Sequence, residues 1–126
     1  MIQCPTRQRP SLPCTLIQAM AIMEGFYAAN TRPNKNNNPG DIEYGKFTIA
    51  HGATGTDGRF AIFPSEDAGF AAMRALLQTA YYGLTVATAL NKWAPPVENA
   101  TSVYVEEVCK MTGLTQYAIV GTDTIG

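Results

Sequence analysis

The strongest constraint on the fold is a run of turn-forming residues at positions 30–41. It reads Asn-Thr-Arg-Pro-Asn-Lys-Asn-Asn-Asn-Pro-Gly-Asp, and these residue types favour turns through their backbone conformations and side-chain hydrogen bonds. Before it, apolar residues recur at helical spacing after Thr15, which can cap a helix. We therefore expect a helix that ends near Gly25, with Glu24 in its last turn, and then a loop that the helix does not enter.

Two short segments after this loop have the composition of strands. Residues 47–50 and 60–63 are mostly apolar, and a Gly-rich connection that contains Asp57-Gly58 separates them. Apolar segments on either side of such a dipeptide are typical of a hairpin. We expect a small antiparallel sheet.

Three helices are predicted in the second half of the chain. They cover residues 66–81, capped by Ser65, residues 85–93, and residues 102–111, ended by Gly113. Together with the hairpin they indicate an α+β fold, a mostly helical domain with a small antiparallel sheet. At 126 residues the chain suits a single domain, of which residues 1–13, with three prolines, form an extended arm.

The charge balance argues against two classes of partner. Lys and Arg total 9 and Asp and Glu total 10, so we expect neither a nucleic-acid partner nor a polybasic membrane contact. No apolar stretch approaches the roughly 20 residues that span a bilayer, and the N-terminus lacks the features of a secretory signal. A soluble monomer without stable membrane insertion is the expectation.

The histidine and cysteine content argues against further chemistries. His51 is the only histidine and no Gly-x-Ser-x-Gly motif is present, so a Ser or Cys triad is not expected, nor is a His-based zinc cluster. The three cysteines match no metal or redox spacing and allow at most one internal disulfide. Cys4 and Cys14 either form that bond or both stay reduced.

Glu24 has the position that acid catalysis on a glycosidic bond requires. It ends an apolar helix before a polar loop, and Met20, Met23 and Phe26 can desolvate its carboxyl group. Desolvation would raise the pKa of that carboxyl group and keep a proton on it for donation to the leaving oxygen. The alternative from position alone is a solvated glutamate at a helix end.

Several segments resemble the lysozyme-like peptidoglycan hydrolases of phages and bacteria. They are Ala21-Ile-Met-Glu-Gly-Phe, Asn37-Asn-Pro-Gly-Asp-Ile-Glu-Tyr-Gly, Phe60-Ala-Ile-Phe-Pro-Ser, Gly69-Phe-Ala-Ala-Met and Trp93-Ala-Pro-Pro-Val-Glu-Asn-Ala-Thr-Ser-Val-Tyr-Val. The later segments are also similar to phage structural domains, and the blocks span residues 15–114. The resemblance implies a fold in which a helix presents its acid to a cleft between a small hairpin and a helical lobe.

The activity that the resemblance implies is cleavage of the β-1,4 bond between N-acetylmuramic acid and N-acetylglucosamine in bacterial peptidoglycan, with Glu24 as general acid and no cofactor. A lytic transglycosylase would use the same acid to form an anhydro product. If the protein is not an enzyme, the alternative is a non-catalytic peptidoglycan-binding or virion structural module. An effector exported into a competitor would catalyse the same cleavage and differ only in its delivery. The protein would be made in the cytoplasm and reach the wall after holin-type or other export.

The other site residues each have two interpretations. Asp41 is a candidate nucleophile or base, or a turn-stabilising residue, and the family pattern often carries Asn there, which implies that the acetamido group of the substrate can assist. Candidate sugar contacts are Asn38, Tyr44, Trp93 and Tyr104, since amides bond to hydroxyl groups and aromatic faces stack on sugar rings. The structural alternatives are turn formation for Asn38 and core packing for the aromatic residues.

Overall fold

A computed structural model describes residues 13–94 and 100–126. The elements within these ranges are α1 (Leu16–Glu24), α2 (Arg32–Lys35), α3 (Lys46–Ala50), β1 (Gly55–Thr56), β2 (Ala61–Ile62), α4 (Glu66–Ala80), α5 (Val86–Trp93), α6 (Ala100–Thr112) and α7 (Thr122–Ile125). They form the predicted mixture of helices with one small antiparallel sheet. None of the helices in the described ranges is long and apolar enough to cross a membrane.

The chain divides into two compact units. Residues 20–76 form the first, here called the hairpin unit because it contains the sheet. Residues 77–126 and the chain up to residue 19 form the second, here called the helical unit. The arm predicted for residues 1–13 lies outside the described residues, apart from Pro13.

Helix α1 begins where the sequence predicts. The hydroxyl of Thr15 accepts a hydrogen bond from the N–H of Gln18 at 3.3 Å, and the Gln18 side-chain oxygen accepts one from the N–H of Thr15 at 2.9 Å. This reciprocal pair satisfies N–H groups that have no partner within the helix. Thr15 is therefore confirmed as the cap.

The turn-forming segment contains a short helix, so the prediction of an uninterrupted loop is wrong. Thr31 accepts a hydrogen bond from the N–H of Asn34 at 3.3 Å and caps α2. Pro33 lies in the first turn, where its missing N–H costs no helical hydrogen bond. Residue types that favour turns also favour helix starts, and here they form one.

The strand predicted at residues 47–50 is also wrong, because helix α3 occupies this segment. The N–H of Gly45 donates to the Thr48 hydroxyl at 2.9 Å, and that hydroxyl in turn donates to the Gly45 carbonyl at 3.1 Å. Thr48 is almost completely buried. Local bonds between a side chain and the backbone thus replace the strand ladder in a segment whose apolar residues suit either structure.

The predicted hairpin is present, with shorter strands. In register, the partners are Gly55 with Ile62 and Thr56 with Ala61. The carboxyl group of Asp57 accepts hydrogen bonds from the N–H groups of Arg59 at 3.0 Å and Phe60 at 2.8 Å, which closes the turn. Glu43 adds an isolated antiparallel bridge to Phe60. The loop before α3 therefore runs beside the second strand.

The hairpin unit has a small core against which α4 packs closely. Its buried cluster is Ala61, Phe63 and Ala72, with Ala53 and Ala68 packed against it. On α4, a Cβ at Gly69 would lie 1.9 Å from the carbonyl oxygen of Asn37 and 2.8 Å from Cδ of Pro39. Only glycine allows this approach between the helix and the turn-forming segment.

The three predicted helices of the second half are confirmed. Ser65 caps α4 by accepting from the N–H of Ala68 at 3.1 Å, and Thr85 caps α5 by accepting from the N–H of Thr88 at 3.1 Å. Helix α6 is followed by Gly113 at φ +77°, a left-handed conformation that glycine adopts without strain. The signals at Ser65, Thr85 and Gly113 act as the sequence predicts, whereas α6 begins at Ala100 rather than at the predicted Ser102.

The C-terminal segment is part of the helical unit. Val120 and Ile125 are buried, and the backbone of Val120 bonds to the N–H of Gly83 and to the carbonyl of Leu84, both at 2.8 Å. The N–H of Cys14 donates to the carbonyl of Met111 at 3.1 Å. Both ends of the described chain are therefore held in this unit.

One cysteine is bonded and another is free. Cys14 is disulfide-bonded, and its predicted partner, Cys4, lies outside the described residues. Cys109 is a free, half-buried thiol, and burial raises the pKa of that thiol. Cys109 is therefore held in the less reactive thiol form at neutral pH.

Candidate functional site

Glu24 is the last residue of α1, as the sequence predicts, and it is partly buried. The N–H of Phe26 donates to the carbonyl of Ala21 and the N–H of Gly25 to that of Ile22, each at 3.0 Å. Gly25 is at φ +87°. These two bonds and the left-handed glycine form a Schellman motif, which ends the helix at a defined residue.

Helix α2 is fastened to this turn. The hydroxyl of Thr31 donates to the carbonyl of Gly25 at 2.7 Å, and the side-chain amide of Asn34 donates to the carbonyl of Phe26 at 3.0 Å. Arg32 lies between these two residues in the sequence. The bonds therefore fix the start of its side chain relative to the end of α1.

Arg32 and Asp41 form a bidentate ion pair. Nε of Arg32 donates to both carboxylate oxygens of Asp41, at 3.0 and 3.2 Å, and one of its terminal nitrogens donates to Oδ2. The side chain of Asp41 is only 10% exposed, against 49% for Arg32. Asp41 itself is at φ +49° and donates its N–H to the carbonyl of Asn38 at 3.0 Å. Backbone and side chain together fix this carboxylate.

The guanidinium group of Arg32 also stacks on an aromatic ring. Its central carbon lies 3.7 Å from the ring centroid of Phe60, and that of Arg59 lies 4.8 Å from the same centroid. Arg59 pairs with Glu43 at 3.5 Å, and both are well exposed. The cation–π contact restricts Arg32 further, since the cation is attracted to the ring face.

Arg32 is the electrostatic centre of the site. Its hydrogen bonds to Asp41 are the main cause of a raised pKa of the guanidinium group, which burial partly offsets. The negative charges of Asp41, Asp57 and Glu24 raise that pKa further. Three carboxyl groups thus act on one cation, and two of them are the predicted catalytic residues Glu24 and Asp41.

The carboxylate of Asp57 stabilises the hairpin turn. Hydrogen bonds from the N–H of Phe60, the side-chain amide of Asn36 and the N–H of Arg59 lower the pKa of Asp57 to about 2. The Asn36 amide lies 3.0 Å from Oδ2, and Asn36 is itself buried. Asp57 is therefore ionised at neutral pH and has a structural partner for each oxygen.

Asn38 is a structural residue, and the prediction that it contacts a sugar is wrong for its side chain. It is 0% exposed. Its amide nitrogen donates to the carbonyls of Ile42 and Ala61, both at 2.9 Å, and its oxygen accepts from the N–H of Ile42 at 3.0 Å. Both amide hydrogens and the oxygen are in use, so the side chain has nothing to offer a ligand.

Tyr44 is on the surface of the hairpin unit. It is 41% exposed, and its N–H donates to the carbonyl of Arg59 at 2.9 Å. An exposed ring on a backbone that is held by the hairpin is available for stacking. Contact between Tyr44 and a sugar stays a prediction.

Trp93 and Tyr104 belong to the helical unit. Trp93 is partly buried, and its ring centroid lies 5.3 Å from that of Tyr81, whose ring also has Nζ of Lys92 at 4.5 Å. Tyr104 is 7% exposed. Tyr104 is therefore a core residue rather than the surface contact that was predicted, while the partial exposure of Trp93 leaves its contact with a glycan a prediction.

The residues that sequence reasoning missed are Arg32 and Phe60. No pattern marks either, because their pairing joins positions far apart in the sequence, although the Asp57-Gly58 turn signal does indicate where Phe60 returns. Within the described ranges, no group of three or more His, Cys, Asp or Glu side chains is placed to hold a metal ion. The site is thus a carboxyl group at a helix end beside a neutralised cation. In comparisons with known proteins, no family model and no curated protein matches this chain.

Proposed function

We propose that this protein cleaves the glycan strands of bacterial peptidoglycan at the β-1,4 bond between N-acetylmuramic acid and N-acetylglucosamine, with Glu24 as the general acid. The choice of substrate comes from the resemblance of the segments around Glu24, Asp41 and Trp93 to lysozyme-like hydrolases. The role of Glu24 rests on its chemical surroundings.

One observation carries the proposal. Glu24 is partly buried and ends α1 at a Schellman motif, so it lies at the end of the helix that carries partial negative charge. That partial charge disfavours an ionised carboxylate, and Asp41 already neutralises the nearby Arg32. Both conditions favour a carboxyl group that keeps a proton to donate.

The chemical step follows from this arrangement. The Glu24 carboxyl group gives its proton to the glycosidic oxygen as the C–O bond breaks, which leaves an oxocarbenium-like sugar and a Glu24 carboxylate. The carboxylate then takes a proton from an attacking water molecule, whose oxygen bonds to the anomeric carbon. The acid is restored and the product has a free reducing end.

A lytic transglycosylase is the second candidate, and the state of Asp41 favours it. Both oxygens of Asp41 accept hydrogen bonds from Arg32, so neither is free to attack a sugar or to activate water. A site in which Asp41 is engaged and Glu24 alone acts as acid and base suits attack by the C6 hydroxyl of the muramic acid ring on its own anomeric carbon. In that reaction Glu24 takes the hydroxyl proton, and the product is a 1,6-anhydro sugar.

Digestion of purified peptidoglycan tests the proposal. Wild type, Glu24→Gln and the control Glu106→Gln are incubated with it, and the products are reduced and separated by mass spectrometry. Glu106 is a suitable control because it is an exposed glutamate on α6, paired only on the surface with Lys110. We expect products from wild type and Glu106→Gln, and a loss of at least about 100-fold with Glu24→Gln, since general acid catalysis contributes a factor of this size.

The product decides between the reactions. Reducible muropeptides indicate hydrolysis, and anhydro ends indicate a transglycosylase. Full activity of Glu24→Gln would refute the role of Glu24. Absence of any product from wild type on several wall types would favour a binding or virion structural module instead.

A further inference from the structure

The geometry around Arg32 joins the two predicted acids. Arg32 binds Asp41 through bidentate hydrogen bonds. The negative charge of Glu24 raises the pKa of the same guanidinium group. Thr31, the residue before Arg32, is bonded at 2.7 Å to the carbonyl that directly follows Glu24. The ion pair and the acid are thus connected through the backbone as well as by charge.

The ion pair is held in place by contacts on all its parts. The ring centroid of Phe60 lies 3.7 Å from the guanidinium carbon of Arg32. The N–H of Asp41 donates to the carbonyl of Asn38, a residue that is completely buried. The side-chain nitrogens of Arg32 donate their hydrogen bonds to Asp41. An exposed arginine pays an entropy cost to be fixed, and most surface ion pairs add little stability for that reason. The aromatic contact and the buried backbone partner restrain this pair more than an isolated surface ion pair is restrained.

We propose that Arg32 and Asp41 form a positioning pair for Glu24, in which Asp41 neutralises Arg32 so that Glu24 keeps its proton while Arg32 keeps the site rigid. Asp41 is therefore not a nucleophile or a base. This proposal deepens the function proposed above and rests on it for its kinetic consequences. The effect on the protonation of Glu24 can be measured without any enzymatic activity.

The physical basis is the sign of the charge that Glu24 experiences. Without Asp41, the bare positive charge of Arg32 would stabilise the Glu24 carboxylate and release its proton at lower pH. Without Arg32, the bare negative charge of Asp41 would have the opposite effect. The two substitutions therefore act in opposite directions, a result that general loosening of the site does not produce.

Other charged groups of the hairpin unit are the same in every variant. Asp57 is held by the hairpin turn, Glu43 pairs with Arg59, and the charge of Glu66 acts on Tyr27, whose pKa is raised mainly by burial. Two further charged residues are Lys35 on α2 and Arg74 on α4. Their contributions cancel when the variants are compared with one another.

The test is a ¹³C NMR titration of the Glu24 side-chain carboxyl group in four proteins. They are wild type, Asp41→Asn, Arg32→Met and the double variant, and Glu24→Gln identifies the signal. Asn tolerates the left-handed backbone of position 41, and Met keeps an apolar stem over Phe60, so both replacements suit the fold. Circular dichroism and thermal melting check that each protein is folded.

We expect the pKa of Glu24 to fall by about 0.5 to 1 unit in Asp41→Asn and to rise by a similar amount in Arg32→Met. The double variant should return to within about 0.3 unit of wild type, because charges of opposite sign are then removed together. Shifts in the same direction for both single variants, or no shift in either folded variant, would overturn the proposal.

Kinetics on peptidoglycan separate failure of this inference from failure of the proposed function. If wild type is active and Glu24→Gln is not, the basic limb of the pH profile should move with the NMR values, while KM changes little. A folded Asp41→Asn that is inactive at every pH would show Asp41 to be catalytic and refute the positioning role alone. An inactive wild type would refute the function and leave the titration result standing.

Discussion

The side chain of Asn38 makes three hydrogen bonds in a segment that looks like a polar loop. Replacing it in Asn38→Ala would leave the N–H of Ile42 without its side-chain acceptor and would remove one donor from the carbonyl groups of Ile42 and Ala61. Each such loss costs about 1 kcal/mol or more, so we expect the free energy of unfolding to fall by about 2 to 4 kcal/mol. Urea denaturation followed by circular dichroism measures this change.

Asn91→Ala is the matched control for this substitution. Asn91 is exposed on α5 and donates to the carbonyl of Ala87 one turn earlier. Its loss should change stability by about 0.5 kcal/mol or less. Unchanged stability of Asn38→Ala combined with weaker glycan binding would contradict the structural role and support the original prediction of sugar contact.

Asp57 makes the stability of the folded protein depend on pH in the acid range. In the folded chain its pKa is lowered from 3.8 to about 2, so the unfolded chain binds the proton more tightly. The stabilisation is complete above about pH 4 and is lost as the pH falls towards 2. We expect the melting temperature of wild type to exceed that of Asp57→Asn at pH 6, with the gap narrowing between pH 4 and pH 2.

The control for this pH dependence is Asp57→Ser, which keeps an acceptor oxygen but does not titrate. Its melting temperature should differ from that of Asp57→Asn by an amount that stays constant from pH 6 to pH 2. A gap between wild type and Asp57→Asn that stays the same across this range would show that the carboxylate bonds of the turn are not the source of the stabilisation.

At this scale, the sequence predicts residues whose role is local. Thr15, Ser65 and Thr85 act as caps because each bonds to an N–H three residues away, within reach of the sequence pattern. Arg32 and Asn38 have partners fixed by the tertiary fold. The structural role of Asn38 depends on a carbonyl 23 residues further along the chain, which no local pattern reveals.

At the scale of elements, Gly69 sets how closely α4 can approach the turn-forming segment. A Cβ there would lie 1.9 Å from a backbone oxygen, which cannot rotate away. Although alanine favours helices, we expect Gly69→Ala to lower the free energy of unfolding by about 2 kcal/mol, because the helix must shift. Chemical denaturation measures the loss.

Gly55→Ala provides the comparison for this glycine. A Cβ at Gly55 would meet nothing within 4 Å, and Gly55 has no left-handed backbone. Its stability should change by about 0.5 kcal/mol or less. Equal effects of the two substitutions would mean that backbone entropy, rather than the close approach at Gly69, determines the cost.

The elements that sequence reasoning identified were those with strong periodicity. Helices α4, α5 and α6 each run for at least two turns with an apolar face and a boundary signal. Helices α2 and α3 are too short for periodicity to show. Their start depends on Thr31 and Thr48, whose hydroxyl groups bond to the backbone in ways that compete equally well with a loop or a strand.

At the scale of the whole molecule, the disulfide bond at Cys14 ties the start of α1 to another part of the chain. We expect Cys14→Ala to lower the free energy of unfolding by about 2 to 4 kcal/mol, because the unfolded chain loses a constraint. A reducing agent should destabilise wild type by a similar amount and leave Cys14→Ala unaffected. Melting with and without the reducing agent makes the comparison.

Cys109→Ser is the control, since Cys109 is a free thiol and its removal takes away no cross-link. Its melting temperature should still respond to the reducing agent as wild type does. If Cys14→Ala melts at the same temperature as wild type under oxidising conditions, the disulfide does not stabilise the folded state.

The α+β class could be predicted from composition and pattern, because alternating turn signals and helical periods limit the arrangements of a chain of this length. The single domain and the lysozyme-like cleft remain predictions. Four of the predicted site residues, Glu24, Asn38, Asp41 and Tyr44, belong to the hairpin unit, and only Glu24 and Asp41 share a charged partner there.

The three consecutive asparagines at positions 36–38 have separate partners. They are Asp57 for the first, the carbonyl of Phe63 for the second, and the carbonyls of Ile42 and Ala61 for the third. Polar positions in a loop that tolerate no exchange are usually taken to mark substrate recognition. In a saturation mutagenesis screen of this protein, the same intolerance would report the assembly of the hairpin unit. Selection for abundance and selection for the proposed wall cleavage would then score these three positions alike, whereas substitutions of Glu24 would lower the second score alone.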